Sequence, residues 1–378
     1  MDFQLNDEQR AIRGLAREFA TQEVAPVAAE LDREGRFPYE IVAKLGELGF
    51  MGMPFPQEYG GGGTDYISYA LVIEELARAD SSVAITVAAH TSLGSFPIHA
   101  FGSERQRREW LPQLCSGQRL AAFGLTESEA GSDAAALHTT ARRDGEEWVI
   151  NGSKQFITNA GTEVSGCVTI AARTDEEEIS AFIVPNGTPG YAVEAPYRKM
   201  GWKASDTRPL SFDDCRIPDA SMLGPRGRGY AQFLETLAGG RISVSAMGVG
   251  LAQGALDEAL AYAKQRRAFG QPISKFQAIQ MKLADVATEI EAARLLTLRA
   301  AALKDRQHPK LDIVAAAAKL KTGRLAVRAA EEAVQIHGGY GYIEDYPVCR
   351  FYRDAKVLTI GEGTDEVQQM VIARYLGC

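Results

Sequence analysis

The sequence predicts a mostly α-helical protein with one small β-domain in the middle. Three observations predict it. Apolar residues recur at helical spacing up to about residue 120, short strand-like runs bounded by Gly, Pro or Asp fill residues 121 to 230, and helical spacing returns from 231 onward. A chain of 378 residues is also too long for one ordinary core. The expected divisions are 1–120, 121–230 and 231–378: helical, β-rich and helical again.

In order along the chain, Asn6 followed by Gln9 forms a near capping box, and Ile12, Leu15, Ala16 and Phe19 then share one helical face. Pro38, Pro54 and Pro56 punctuate the stretch beyond this helix. Gly60-Gly61-Gly62-Gly63 has no strand before it and no Gly-Lys-Ser/Thr after it, so it reads as a flexible turn rather than a phosphate cradle. Further helices are expected at about 66–80 and 82–101, with another preceding Pro112. In the middle region Trp148-Val149-Ile150 and Gln155–Thr158 flank Asn151-Gly152-Ser153, a hairpin signal. Strand candidates come next at Val168–Ala171, Ala181–Val184, Tyr191–Glu194 and Leu210–Phe212, enough for a small sheet or barrel. Beyond 231, Ile279, Leu283, Val286, Ile290 and Leu296, then Val314, Leu325 and Val334, mark long helices ending at Gly338-Gly339. No strand runs into a GxGxxG, which excludes a Rossmann nucleotide site.

Composition narrows the class. Hydrophobic residues make up 46% and charged residues 24%, as in soluble globular proteins, and the net charge of −8 disfavours nucleic acid or an anionic membrane as partner. The clusters Arg105–Arg108 and Lys264–Arg267 are short and fall on helical patterns. Five scattered cysteines without a CxxC pair suit a reducing compartment, and five histidines without an HxxxH pattern disfavour a metal site. Met1–Leu5 lacks a leader profile, and the longest apolar run, near Val83–Ala89, is too short to span a membrane. A cytoplasmic chain is the expectation.

Three segments carry chemistry. In Ile360-Gly361-Glu362-Gly363-Thr364-Asp365-Glu366, glycines flank an acid at the start of a helical pattern. It reads either as a helix-capping acid or as a carboxylate base that a substrate backbone can approach closely. Gly124–Asp133 is a loop of hydroxyls, acids and glycine after the strand-like Ala121-Ala122-Phe123. It is either a polar hinge or a seat for a polar, ring-shaped ligand. Gln335–Asp345, extended to Arg353-Asp354, contains a glycine pair that closes a helix, and His337 in it reads as a buried, satisfied residue.

Together these segments resemble the acyl-CoA dehydrogenase family. Gly124–Asp133 matches one family signature and Gln335–Asp354 the other, and the resemblance covers essentially the whole chain. It implies an N-terminal helical domain, a β-barrel-like middle domain, a C-terminal four-helix bundle, bound FAD and a homotetramer. It also implies a reaction: a carboxylate takes the α-proton of an acyl-CoA thioester, the β-hydrogen leaves as hydride to flavin N5, and a trans-2-enoyl-CoA results. Electrons then pass to an electron-transfer flavoprotein. A same-fold oxidase or monooxygenase, or a non-catalytic scaffold, are the alternatives.

By the same resemblance Glu362 is the base. A second branch of the family keeps its base just before a shared arginine, and here that arginine looks like Arg241, preceded by Gly240. Flavin contacts carry over to Phe123, Leu125, Thr126, Ser132, Phe156, Thr158, Thr364 and Glu366; many relatives have tryptophan where Phe156 stands. Arg266, Phe269, Gln277, Gln335 and Gly339 match residues that reach the FAD of a neighbouring subunit, although Ala268 lacks a hydroxyl that some relatives have. Ser132, Arg241 and Gly363 match positions near the CoA arm, where several relatives carry an aspartate in place of Ala238. Ile85 and Ala89 match the deep end of the acyl pocket.

Overall fold

The computed structural model describes residues 4–378; Met1–Phe3, part of the segment read for a leader, lie outside the described residues. The chain opens with α1 (Asp7–Phe19), α2 (Ala28–Glu34) and α3 (Tyr39–Glu47). The capping box on α1 is complete: Gln9 N donates to Asn6 Oδ1 at 2.8 Å, and Asn6 N donates to Gln9 Oε1 at 3.1 Å. Ala16 and Phe19 face the core, but Leu15, expected on the same face, is 43% exposed. Only a narrow stripe of α1 is buried, and Leu15 lies beside it.

Next come α4 (Tyr66–Ala79), α5 (Ser81–Ala88), a π-helical stretch (Ala89–Ser95), α6 (Phe96–Phe101) and α7 (Glu104–Cys115). Helix α7 runs through Pro112 instead of ending before it. A second capping box, Ser103 with Gln106, starts the helix, and buried Leu111, Leu114 and Cys115 hold its last turn against the core. That packing offsets the one hydrogen bond a proline removes.

The middle region holds β1 (Leu120–Gly124), β2 (Thr140–Asp144), β3 (Glu147–Thr158), β4 (Ser165–Asp175), β5 (Glu178–Pro185), β6 (Tyr191–Val193) and β7 (Thr207–Pro218). The sheet runs β1-β4-β2-β3-β7-β6, with β5 also on β4; β1 lies parallel to β4 and the hairpins are antiparallel. All four strand candidates overlap β4 to β7. The hairpin expected at Asn151-Gly152-Ser153 is not there: β3 passes straight through these residues. The turn is at Gly145-Glu146, where Asp144 pairs with Glu147. Gly152 instead occupies a bulge with φ 143°, and a Cβ there would lie 2.6 Å from Thr139 Oγ1. An Asn-Gly pair thus serves a close strand crossing, which uses the same backbone freedom as a turn.

The last region is α8 (Gly229–Gln265), the small hairpin of β8 (Arg267–Ala268) and β9 (Gln271–Pro272), α9 (Gln277–Asp305), α10 (Leu311–His337), α11 (Pro347–Ala355) and α12 (Asp365–Leu376). Only Lys264 and Gln265 of the second basic cluster are helical, because Arg267 begins β8. Helices α8, α9 and α10 pack on one another and α12 packs on α10. Core residues of α4, such as Ile73 and Leu76, share one cluster with Met247 and Leu251 of α8 and Leu325 of α10, so the first and third regions meet directly. Trp148, Val168, Phe182 and Leu210 fill a separate core within the sheet. Among the described residues no helix is long and apolar enough to cross a membrane.

Candidate functional site

Thr364 caps α12, its Oγ1 accepting from Val367 N at 3.3 Å. The two residues before it are both left-handed: Glu362 has φ 57° and Gly363 φ 87°. Glycine adopts that conformation freely, but for a glutamate it costs roughly 1–3 kcal/mol unless its surroundings enforce it. Here they do. Gln368, fully buried on α12, donates its Nε2 to Glu362 O at 3.1 Å and Gly363 O at 3.0 Å. Lys319, fully buried on α10, donates its Nζ to Gly363 O at 2.6 Å.

The turn aims the Glu362 carboxylate at α8. A Cβ on Gly240 would lie 2.6 Å from Glu362 Oε2 and 2.8 Å from Leu93 Cδ2. Glu362 as a whole is half-buried, yet its Oε2 is sealed from solvent and has no hydrogen-bond partner. Burial pushes its pKa up to about 7, against the opposing pull of the Lys319 and Arg241 charges. Partial exposure of the residue and burial of its oxygen are compatible, because exposure is averaged over the residue while the Oε2 end points inward. A capping role is thereby excluded for Glu362: Thr364 is the cap.

Arg241, adjacent to Gly240, is buried, and its Nε has no partner. Burial lowers its pKa, and Asp312 lies 3.9 Å away. Arg241 and Ser132 share a cleft of about 1650 Å³ with Ala238 and Lys304. Gly363 is half-buried beside Glu362. Ile85 and Ala89 are buried and do not line that cleft; Leu93, from the same π-helical stretch as Ala89, packs on Gly240 beside the carboxylate.

A second group of expected residues gathers where β1 leaves the sheet. Phe123 stacks on Phe233 of α8 with ring centres 4.4 Å apart. Leu125 is buried and Thr126 half-buried, and Thr126 O accepts from Gln155 N at 2.8 Å. The loop is tied down by an ion pair that sequence reasoning missed. Lys154, fully buried on β3, donates to Glu127 Oε1 at 2.7 Å and Leu125 O at 3.3 Å, while Glu127 accepts from His138 N and Thr139 N. Beyond Lys154 a bulge puts Phe156 at φ 62°; the residue is 64% exposed and its ring lies 5.2 Å from that of Tyr197. Thr158 is half-buried at the end of β3. An exposed phenylalanine held in strained backbone suits a flat, polar-edged ring ligand, as an isoalloxazine is.

A third group lies apart. Arg266, Phe269, Gln277, Gln335 and Gly339 are all exposed, at the β8–β9 hairpin, the start of α9 and the end of α10. Phe269 is 96% exposed. Arg266 and Gly339 line a cavity of about 510 Å³ that none of the first two groups enters, with the Arg266 guanidinium 5.8 Å from the centre of the Tyr340 ring. His337 is buried, stacks on Tyr262 at 4.1 Å, and has Nδ1 2.8 Å from Ala333 O. Thr364 is half-buried and Glu366 exposed at the start of α12. Besides Lys154, the residues sequence reasoning missed are Lys319 and Gln368. The available signal was a lysine directly after the apolar run Val314–Ala318, a position where a solvated charge does not belong.

Family models described as the acyl-CoA dehydrogenase N-terminal, middle and C-terminal domains match residues 6–118, 122–215 and 227–377. The chain is 50% identical over 379 residues to the probable acyl-CoA dehydrogenase YngJ of Bacillus subtilis, covering 100% of both. It is 44% identical to the short-chain specific acyl-CoA dehydrogenase of Clostridium acetobutylicum, covering 99% of each. Butyryl-CoA dehydrogenase from Megasphaera elsdenii superposes with a TM-score of 0.97 at 44% identity, over 100% of each chain. A chain from a structure described as the electron transferring flavoprotein of Acidaminococcus fermentans gives a TM-score of 0.97 at 44% identity, over 100% of this chain and 99% of the other. An acyl-CoA dehydrogenase complexed with FAD from Bacillus anthracis gives 0.92 at 34% identity, over 99% of this chain and 67% of the other.

Proposed function

The chain belongs to the acyl-CoA dehydrogenase family, an oxidoreductase family that uses FAD, and from that premise we propose that Glu362 removes the α-proton of a short acyl-CoA thioester. The observation that carries this reading is the buried, unpartnered Glu362 Oε2 pressed against Gly240. Its pKa near 7 makes it a stronger base than an exposed carboxylate while leaving it largely ionised just above neutrality. FAD, when bound, supplies the acceptor for the hydride that leaves Cβ. The residues suited to hold it are Phe123, Leu125, Thr126, Ser132, Phe156, Thr158, Thr364 and Glu366. In this reading the Glu362 N–H, at a left-handed turn rather than within a helix, donates to the thioester oxygen as enolate charge develops. Ser132, Arg241 and Gly363 face the CoA arm in this reading, and Ile85 and Ala89 close the apolar end. The product is the trans-2-enoyl-CoA.

A homotetramer belongs to the same reading, with Arg266, Phe269, Gln277, Gln335 and Gly339 presented to a neighbouring copy's FAD; the exposure of all five supports it. An electron-transfer flavoprotein as acceptor is supported by the likeness to the Acidaminococcus chain, and the cytoplasm as compartment by cysteines that are all unpaired. The deciding test is Glu362→Gln, followed anaerobically by bleaching of the flavin on mixing with butyryl-CoA. Folding and yellow colour should persist while the bleaching rate falls by about 10²–10⁴. A rate within a few-fold of wild type sinks the assignment.

A further inference from the structure

We propose that Lys319 is a positioning residue for Glu362: it clamps the left-handed Glu362–Gly363 turn through Gly363 O and supplies a buried positive charge that favours the ionised carboxylate. The inference rests on the reading of Glu362 as the base and assigns a role to a residue outside every expected contact.

Lys319 Nζ lies 2.6 Å from Gly363 O, and its side chain is fully buried in α10. Gln368 holds the same carbonyl and that of Glu362 from the α12 side, so the turn is gripped from two helices. Placing an ammonium there is costly. A buried lysine needs compensation, and an apolar residue in this alanine-rich stripe would pack with no desolvation penalty. Lys319 has no salt bridge among the described residues, so the local reason for a charge lies in the turn it faces. Around Lys319 stand Asp365 at the start of α12, whose charge acts on it most strongly, then Glu362 in the turn, Arg241 from α8 and Glu366 of α12; Asp312 of α10 in turn faces Arg241. Asp365 is engaged by Arg324 at 2.9 Å, and Glu366 is exposed. Asp365 and Glu362 each keep one buried carboxylate oxygen without a hydrogen-bonding partner. Asp365 has its own ion pair with Arg324, whereas among the described residues Glu362 has none and is left to the lysine's field.

The physical consequence has a sign. A neighbouring cation stabilises carboxylate over carboxylic acid and holds the titration of Glu362 below where burial alone would put it. Lys319 itself is pushed down to about 8, so it is still charged where Glu362 titrates. Removing the charge while keeping a donor to Gly363 O must move the rising limb of the pH–rate profile upward without loosening the turn.

The experiment uses the FAD-loaded enzyme and two variants, Lys319→Gln and Lys319→Arg. Flavin bleaching by butyryl-CoA is followed anaerobically from pH 5.5 to 9.5. Lys319→Gln is expected to shift the rising limb upward by about one pH unit, a roughly tenfold loss of rate well below the limb and little loss above it. Lys319→Arg, with its charge kept, is expected to leave the limb in place even if the melting temperature falls. A uniform rate loss with an unmoved limb in Lys319→Gln overturns the inference and leaves the lysine a structural clamp alone. Should Lys319→Gln fail to retain flavin, Lys319→Arg decides: an unmoved limb supports the electrostatic role, and a limb displaced upward by a unit refutes it. Glu362→Gln run in parallel separates the two readings. If that variant is inactive and the limb does not move in Lys319→Gln, only the role of Lys319 fails; if that variant stays active, the base assignment fails first.

Discussion

Gly240→Ala tests the site with a single methyl group. The added Cβ would sit 2.6 Å from Glu362 Oε2, whereas ordinary contact begins near 3.4 Å, so the carboxylate must retreat by roughly 0.8 Å or α8 must move. Leu93 blocks the neighbouring direction at 2.8 Å. Alanine is favoured over glycine inside a helix by about 1 kcal/mol, and overpacking a tight core costs about 1–3 kcal/mol. Net stability should therefore fall by no more than about 2 kcal/mol. Activity should suffer far more, because misplacing a reacting group by about 1 Å costs on the order of 10²-fold. The assay is stopped-flow bleaching of the flavin with butyryl-CoA, with thermal melting alongside. Gly239→Ala is the control: its Cβ meets nothing nearer than Lys304 Cε at 3.8 Å, so its bleaching rate should be unchanged. A Gly240→Ala enzyme that bleaches within about threefold of wild type would refute the claim that the carboxylate is confined against this helix.

Four further outcomes are expected. The bleaching rate should rise with pH through a midpoint near 7 as Glu362 ionises; a flat profile from pH 5.5 to 8.5 contradicts a buried carboxylate base. The same burial has a stability signature. The folded state holds protons on Glu362 and on fully buried Asp354, also raised to about 7, more tightly than the unfolded chain does, so their contribution is present below the unfolded carboxyl range and is lost as pH rises through 7. Lys154→Met should strand the Glu127 carboxylate in the interior, cost about 3–5 kcal/mol and loosen flavin; unchanged melting and flavin retention would show that the pair does not hold the loop. Arg266→Ala should release flavin and lower the assembly state together on gel filtration, and retention of both would count against a site shared between copies.

Particular residues show how far the sequence was legible. The capping box at Asn6, the strands β4 to β7 and the helix ending at Gly338 depend on near neighbours, and local rules found them. The Asn-Gly pair at 151–152 misled because a turn and a bulge make the same demand on glycine; which one forms depends on Thr139 across the sheet. Pro112 misled because long-range packing of Leu111 and Leu114 outweighs one lost hydrogen bond. The segment around Glu362 was readable as either a cap or a base, and the motif resemblance chose between them. Lys154 and Lys319 were passed over because a lysine is ordinarily solvated, and only its partners reveal when it is not.

From the amino-acid order alone came the succession of helices, sheet and helices, the family and the acid to examine, because periodicity, caps and motifs are written in residues close along the chain. Folding decided what that acid can do. Glu362, Gly240, Lys319 and Leu93 are far apart in sequence, and their convergence around one carboxylate exists only once α8, α10 and the turn before α12 have packed. A carboxylate's basicity is set by the water it loses and the charges it faces, and both are properties of the assembled interior.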